Sequence, residues 1–237
     1  MVKSCNHPVM NKLPKNSLFV TGTGTDVGKT FVTSLIAKCL ADQNRKVGVY
    51  KPVSSGCALR DGELVSTDAE SLWEAAGRPG RLMDVSPQKF LAPLAPNVAA
   101  RAEGKTVDST RIRTDVNVWS DSDVLLVEGV GGLLSPISDH DLVVDLAVEY
   151  AIPVLVVAAN RLGCINDTLQ TLIVARHYGL NVAAVALNDV EDLTMDQSRS
   201  SNLTEIRRLS DVPHIFHLTH NCKGIDPTVV AQLIGDE

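Results

Sequence analysis

Lys29, Lys51, Glu128 and Asn188 each follow an apolar run, Lys29 after a turn that gives it a definite chemical use. It follows Phe19-Val20-Thr21-Gly22-Thr23-Gly24-Thr25-Asp26-Val27-Gly28 and precedes Thr30. A strand that stops at Gly22, a turn of glycine and threonine, and an amphipathic segment opened by Gly28-Lys29-Thr30 bring backbone N–H groups to a helix N-terminus. The helix dipole favours anions there. Lys29 can reach the terminal phosphates of a nucleotide, and the Thr30 hydroxyl can ligate magnesium. A standard phosphate loop has four residues between its glycines. This chain has five, Thr23 to Val27, so the loop is a variant one.

Lys51 ends the run Val47-Gly48-Val49-Tyr50 and precedes Pro52-Val53-Ser54-Ser55-Gly56. A lysine at the end of a buried strand is costly unless an anion meets it. If its strand lies beside the first one, Lys51 approaches Lys29, and the pair suits a triphosphate tail plus a second anion. Glu128 follows Val124–Val127, where phosphate-loop enzymes place a magnesium-associated carboxylate. Gly129, Gly131 and Gly132 let the backbone come close to phosphate. Asp68, in Ser66-Thr67-Asp68-Ala69-Glu70, is either a second carboxylate on the metal or a cap for the next helix. Spacing alone favours a cap supplied by Asp68 or Thr67. Leu162-Gly163-Cys164-Ile165-Asn166 opens a helix whose free N–H groups can hold a second anion. Asn188, ahead of Asp189, can read a nucleobase edge by donating and accepting. His214, His217 and His220 straddle a strand and a loop, which argues against a shared metal.

The elements that must position these groups alternate. Strands are expected at Ser17–Gly22, Lys46–Lys51, Val124–Val127, Pro153–Ala159, Val182–Leu187 and His214–Phe216. Helices are expected at Lys29–Gln43, Asp68–Ala76, Val98–Glu103, Ser109–Trp119, Leu142–Tyr150, Ile165–Tyr178, Met195–Leu209 and Pro227–Ile234. Leu82–Pro96, with Pro87, Pro93 and Pro96, reads as an irregular surface excursion. Continuous apolar strands imply a sheet covered on both faces and hence mainly parallel. With right-handed crossovers this is a doubly wound α/β fold of the phosphate-loop nucleoside triphosphatase type, flanked by helices, with ligands beyond the strands' C-terminal ends. Lys29, Lys51, Glu128, Asn160 and Asn188 all fall at that edge. Residues 1–16 read as a loose tail and 17–237 as one domain.

Composition narrows the function classes. A formal net charge of -6 argues against non-specific nucleic-acid binding. No apolar run is long enough to span a bilayer, and Met1–Ser17 lacks the apolar core of a signal peptide. Five scattered cysteines with no C-x-x-C pair fit reduced thiols in a cytoplasmic compartment.

Taken together these motifs resemble the dethiobiotin synthetase family. The resemblance rests on Gly22-Thr23-Gly24-Thr25-Asp26-Val27-Gly28-Lys29-Thr30 with its extra residue, and on Tyr50-Lys51-Pro52-Val53-Ser54-Ser55-Gly56. Val127-Glu128-Gly129-Val130-Gly131-Gly132, Leu162-Gly163-Cys164-Ile165-Asn166 and Asn188-Asp189-Val190 follow in the family's order. It implies ATP- and Mg2+-dependent closure of a cyclic urea from 7,8-diaminononanoate and carbon dioxide, through a carbamate and its mixed anhydride with phosphate. It implies that Lys29, Lys51 and Thr25 are catalytic. The nucleotide is then held by Gly24, Thr25, Asp26, Val27, Gly28, Lys29, Thr30, Asp68, Glu128, Gly131 and Asn188. Thr30, Asp68 and Glu128 hold the magnesium. Thr25, Lys51 and Ser55 hold the carbamate and amines, and Gly163, Cys164, Ile165 and Asn166 bind the substrate carboxylate across a homodimer interface. Asp26 stands where many relatives carry glutamate. Two other readings compete. A cargo- or division-site switch ATPase usually has a lysine early in the loop, where this chain has Thr21, Gly22 and Thr23. Another amide-forming ligase would bring a glutaminase portion or a different substrate motif, and neither is visible.

Overall fold

The computed structural model describes residues 13–192 and 197–236. Six strands form the central sheet: β1 (Asn16–Gly22), β2 (Val47–Tyr50), β3 (Val124–Gly132), β4 (Val154–Ala159), β5 (Val182–Asn188) and β6 (His214–Leu218). Their spatial order is β6-β5-β4-β1-β3-β2, and every pairing is parallel. Leu18–Val20, Val124–Val127 and Leu155–Ala158 are fully buried, as strands covered on both faces must be. The order reverses at β1, so the crevice of a doubly wound sheet opens where the variant loop leaves that strand.

Helix α1 (Lys29–Asp42) turns Val32, Leu35, Ile36 and Leu40 into the core, the spacing of a single buried helical stripe. The helices Val143–Tyr150 and Cys164–His177 follow β3 and β4, and Arg199–Leu209 and Pro227–Ile234 follow β5 and β6. The last begins with Asp226 accepting from Thr228 N at 2.8 Å and a proline in its first turn, both good start signals.

Several expectations shift. β2 does not lie beside β1, because β3 comes between them and pairs with both. Consecutive strands are neighbours only part of the time, and the long excursion between β2 and β3 lets the chain return to the middle of the sheet. β3 runs on through Gly132, so Glu128 lies within the strand rather than after it. β1 begins at Asn16, one residue inside the expected tail. The excursion is not wholly irregular. It holds the helix Leu82–Val85 and the strand Gln88–Lys89, which pairs with Val53–Ser54. Ser109–Trp119 divides into an α-helix, Ser109–Thr114, and a 3₁₀ turn, Asp115–Trp119. The helix expected from Met195 is seen from Arg199, and Met195 lies outside the described residues.

Behind the sheet edge Arg113 is 1% exposed. It donates to Asp141 Oδ1 at 2.9 Å and to Glu149 Oε1 at 2.7 Å. Ser109 and Ser138 each donate to Asp141 Oδ2 at 2.6 Å, and the phenols of Tyr50 and Tyr150 both donate to the Ile112 carbonyl at 2.9 Å. Every polar atom named here has a partner, as a buried network requires. The cluster ties Ser109–Thr114 to the segment that leads from β3 into helix Val143–Tyr150.

Candidate active site

The variant loop is held from both sides. Thr23 N donates to the Val157 carbonyl of β4 at 2.9 Å. Gly28 closes the loop with φ 88°, a conformation open to glycine and strained for other residues. It precedes α1 without a side-chain cap, and the first turn of α1 carries no acid. The leading N–H groups are therefore left to an anion. A Cβ on Gly28 would lie 2.1 Å from Asn188 Nδ2, and that amide donates to the Val27 carbonyl at 3.1 Å. β5 thus seats the loop through Asn188, whose Oδ1 is buried with no partner among the described residues.

Beneath the loop the expected charged residues converge. Lys29 Nζ donates to the Gly24 carbonyl at 2.8 Å. Burial pulls its pKa down to about 8 against the opposing pull of Glu128. Thr30 Oγ1 donates to Glu128 Oε1 at 2.8 Å, and Lys51 Nζ donates to the same oxygen at 2.7 Å and also to Asp68. Burial works against the Lys51 charge, but Glu128 and Asp68 outweigh it and hold its pKa above the ordinary lysine value. Lys51 and Lys29 do face one site. They meet across Glu128 from the intervening strand, not across adjacent strands.

Asp68 does not cap its helix, nor does Thr67. The helix is Thr67–Ala75 and Ser66 caps it, its Oγ accepting from Ala69 N at 3.2 Å. Ser66 Oγ also donates to Ser54 Oγ at 2.9 Å, and Ser54 and Ser86 hydroxyls lie 2.8 Å apart. This buried serine chain ties the start of the Asp68 helix to the residues that follow Lys51. Sequence reading missed it, because Ser66, Thr67 and Asp68 are all good capping types and only geometry separates them.

Thr30, Asp68 and Glu128 supply a hydroxyl and two carboxylates, the hard oxygen donors that magnesium takes. Glu128 is fully buried, and its Oε2 has no hydrogen-bond partner among the described residues. A buried carboxylate oxygen left bare is the place for a cation, so the residues fit the metal.

The remaining expected residues are less tightly gathered. Thr25 and Asp26 are exposed at the loop tip, and Asp26 is left-handed at φ 57°. Asp enters this region more readily than glutamate, which accounts for its tolerance here. Thr25 Oγ1 lies 3.7 Å from where a Cβ on Gly131 would stand, which places β3's glycines against the loop. Ser55 is partly buried beside Ser54. Gly163, at φ 95°, precedes helix Cys164–His177 without a side-chain cap. Asn166 bonds locally, accepting from Gln170 at 3.1 Å and donating to Asp167 at 3.3 Å. Asn160 Nδ2 donates to Asp189 Oδ1 at 2.9 Å, and His217 Nε2 lies 3.0 Å from Asp189 Oδ2. His214 and His217 lie on β6, and His220 lies beyond it with its Nδ1 3.2 Å from the Asp189 carbonyl.

Fold and loop together define a phosphate-loop nucleotide-binding α/β protein. A family model described as an AAA domain matches residues 16–223. The solved signal recognition particle receptor FtsY of Elizabethkingia anophelis superposes with TM-score 0.51 at 16% identity, over 97% of this chain and 68% of that one. At that identity the likeness shows the fold alone. The ATP-dependent dethiobiotin synthetase BioD of Rhodopirellula baltica is 42% identical over 209 residues, 83% of this chain and 81% of its own. That of Bacillus subtilis is 35% identical over 219 residues, 92% of this chain and 93% of its own. The chain belongs to the ATP-dependent dethiobiotin synthetase family.

Proposed function

We propose that this chain, as one domain over residues 17–237, closes the cyclic urea of dethiobiotin from 7,8-diaminononanoate, carbon dioxide and ATP in biotin synthesis. The observation that carries the reading is that Thr30 and Lys51 meet at Glu128 Oε1, with Asp68 on Lys51 and Lys29 on the Gly24 carbonyl, beneath a loop suited to an anion.

One amine of the substrate captures carbon dioxide as a carbamate. The carbamate oxygen attacks the γ-phosphorus of ATP and ADP leaves. The second amine then attacks the carbamoyl carbon of the mixed anhydride, loses its proton and expels phosphate. The protein's work is positioning two anions and neutralising their charge. The N–H groups from Gly24 to Thr30 and Lys29 hold the phosphates. Lys51, with Thr25 and Ser55, holds the carbamate and amines. Asn188 meets the nucleobase. Thr30, Asp68 and Glu128 would hold Mg2+, which supplies charge neutralisation on the phosphates. In this reading Gly163–Asn166 binds the substrate carboxylate of a second copy. The exposed Leu162 and Ile173, on and beside that helix, favour a homodimer contact there. No helix among the described residues is long and apolar enough to cross a membrane, and the reaction is assigned to the cytoplasm.

ADP release with diamine, bicarbonate and ATP present, and with each omitted in turn, tests the assignment. Turnover that needs all three supports it. Turnover without the diamine, or none with everything present, overturns it.

A further inference from the structure

The side chains read as metal ligands already hold a cation. Lys51 Nζ bonds Glu128 Oε1 at 2.7 Å and Asp68 as well, and Thr30 Oγ1 spends its proton on the same Glu128 oxygen. Lys51 is 5% exposed and Glu128 is fully buried, so neither charge can be handed to solvent. Lys29 and Asp68 stand beside them, and the Asp26 carboxylate of the loop also acts on Lys29. Glu128 Oε2 alone is bare, so a divalent cation that also draws on Glu128 Oε1 or Asp68 meets Lys51 there.

We propose that Lys51 is the counter-ion of the metal-free site, and that a divalent cation enters by displacing its ammonium from Asp68 and Glu128. The inference rests on the assignment of Thr30, Asp68 and Glu128 to the metal. Exchange has two physical consequences. The Lys51 competitor lowers the affinity of the empty site for a divalent cation, since two like charges compete for the same oxygens, buried on Glu128 and half exposed on Asp68. The displaced ammonium then needs a new anion at the mouth of the site, so cation loading raises affinity for the anionic substrate. By linkage the substrate tightens the cation by the same factor. Lys51 is therefore stored on the metal's ligands and released to substrate only when the metal is in place. A lysine serving substrate alone would not need to bridge both carboxylates.

The test titrates Mn2+ alone, without nucleotide or diamine, and counts free Mn2+ by electron paramagnetic resonance. Lys51→Met is compared with wild type, folding being checked by circular dichroism and melting. The methionine variant is expected to bind Mn2+ at least about tenfold more tightly. Lys51→Arg, which keeps the charge, is expected to stay near wild type. Equal or weaker affinity in Lys51→Met, including no measurable binding by either protein, overturns the proposal. Should Lys51→Met fail to fold, wild-type protein answers through lysine acylation read by mass spectrometry. Lys51 is expected to react several times faster with saturating Mn2+ than without, and an unchanged rate overturns the exchange. Wild-type protein that makes the cyclic urea while these readouts fail loses only the exchange. Absence of product in the complete assay removes the functional reading itself.

Discussion

Arg113 reaches Asp141 Oδ1 at 2.9 Å while only 1% of its side chain is exposed, and it spans from there to Glu149. This buried guanidinium fastens the chain between β2 and β3 to the segment that follows β3's glycines. A buried pair is expensive to form and more expensive to break, because removal of one partner strands the other's charge.

Arg113→Ala is expected to destabilise the protein by about 3–5 kcal/mol. Urea unfolding followed by circular dichroism reads this directly. A loss below about 1 kcal/mol would mean that water reaches Asp141 in the folded state as it already reaches the part-exposed Glu149.

Burial pushes the Asp141 carboxyl upward, but hydrogen bonds from Arg113, Ser109 and Ser138 and the Arg113 charge bring it down to about 2. A folded pKa below the unfolded value of about 3.9 stabilises above that value and is lost as pH falls through the folded one. Wild-type stability relative to Asp141→Asn should hold steady above about pH 4 and shrink between about pH 4 and 2, by an amount on the order of 2 kcal/mol. Unfolding curves across that window measure it.

Gly28 has two reasons to be glycine, a positive φ and a Cβ position 2.1 Å from Asn188 Nδ2. Gly28→Ala should weaken ADP binding by about tenfold or more, on a strain of about 1–2 kcal/mol from the left-handed backbone alone. Asn188→Ala removes the clash and the proposed nucleobase contact together, so Gly28→Ala in that background, compared with Asn188→Ala alone, should show only the backbone share. Calorimetric titration of ADP into these variants separates the two.

Ser66→Ala removes a cap and a hydroxyl that bonds Ser54. The expected cost is about 1 kcal/mol in stability. Activity at low Mg2+ should fall further than activity at high Mg2+, because Asp68 sits two residues into the helix that Ser66 starts. Thr67→Ala, by contrast, should change neither.

Lys51→Ala should lower turnover by about a hundredfold or more, the usual result of removing a charge aimed at a transition-state anion. Steady-state kinetics with ATP and diamine varied in turn check this, and full activity in the variant would remove Lys51 from the mechanism.

Much of this was legible beforehand, for physical reasons that differ by element. The continuous apolar runs at Val124–Val127 and Val154–Ala159 can only be strands covered on both faces, and the loop from Gly22 to Thr30 carries its own chemistry. The neighbour of β1 was not legible, because strand order depends on how the chain crosses the sheet and leaves no local mark. Glu128 was expected just past its strand. It lies inside, since a run of glycines after it can still be extended. Arg113 in Ser109–Thr114 looks like an ordinary surface arginine. Its burial is set by Asp141 and Glu149, which lie much further along the chain. Ser66 was hidden by two equally good neighbours.

Because β3 separates β1 from β2, the chain ends of those two strands stand two interstrand steps apart, roughly 10 Å. Had they been adjacent, half that width would remain, and a single phosphate would fill it. In the proposed reading the inserted strand thus sets the gauge of the floor on which the reaction takes place. It is wide enough for a donor and an acceptor group side by side, with the strand's own carboxylate rising between them.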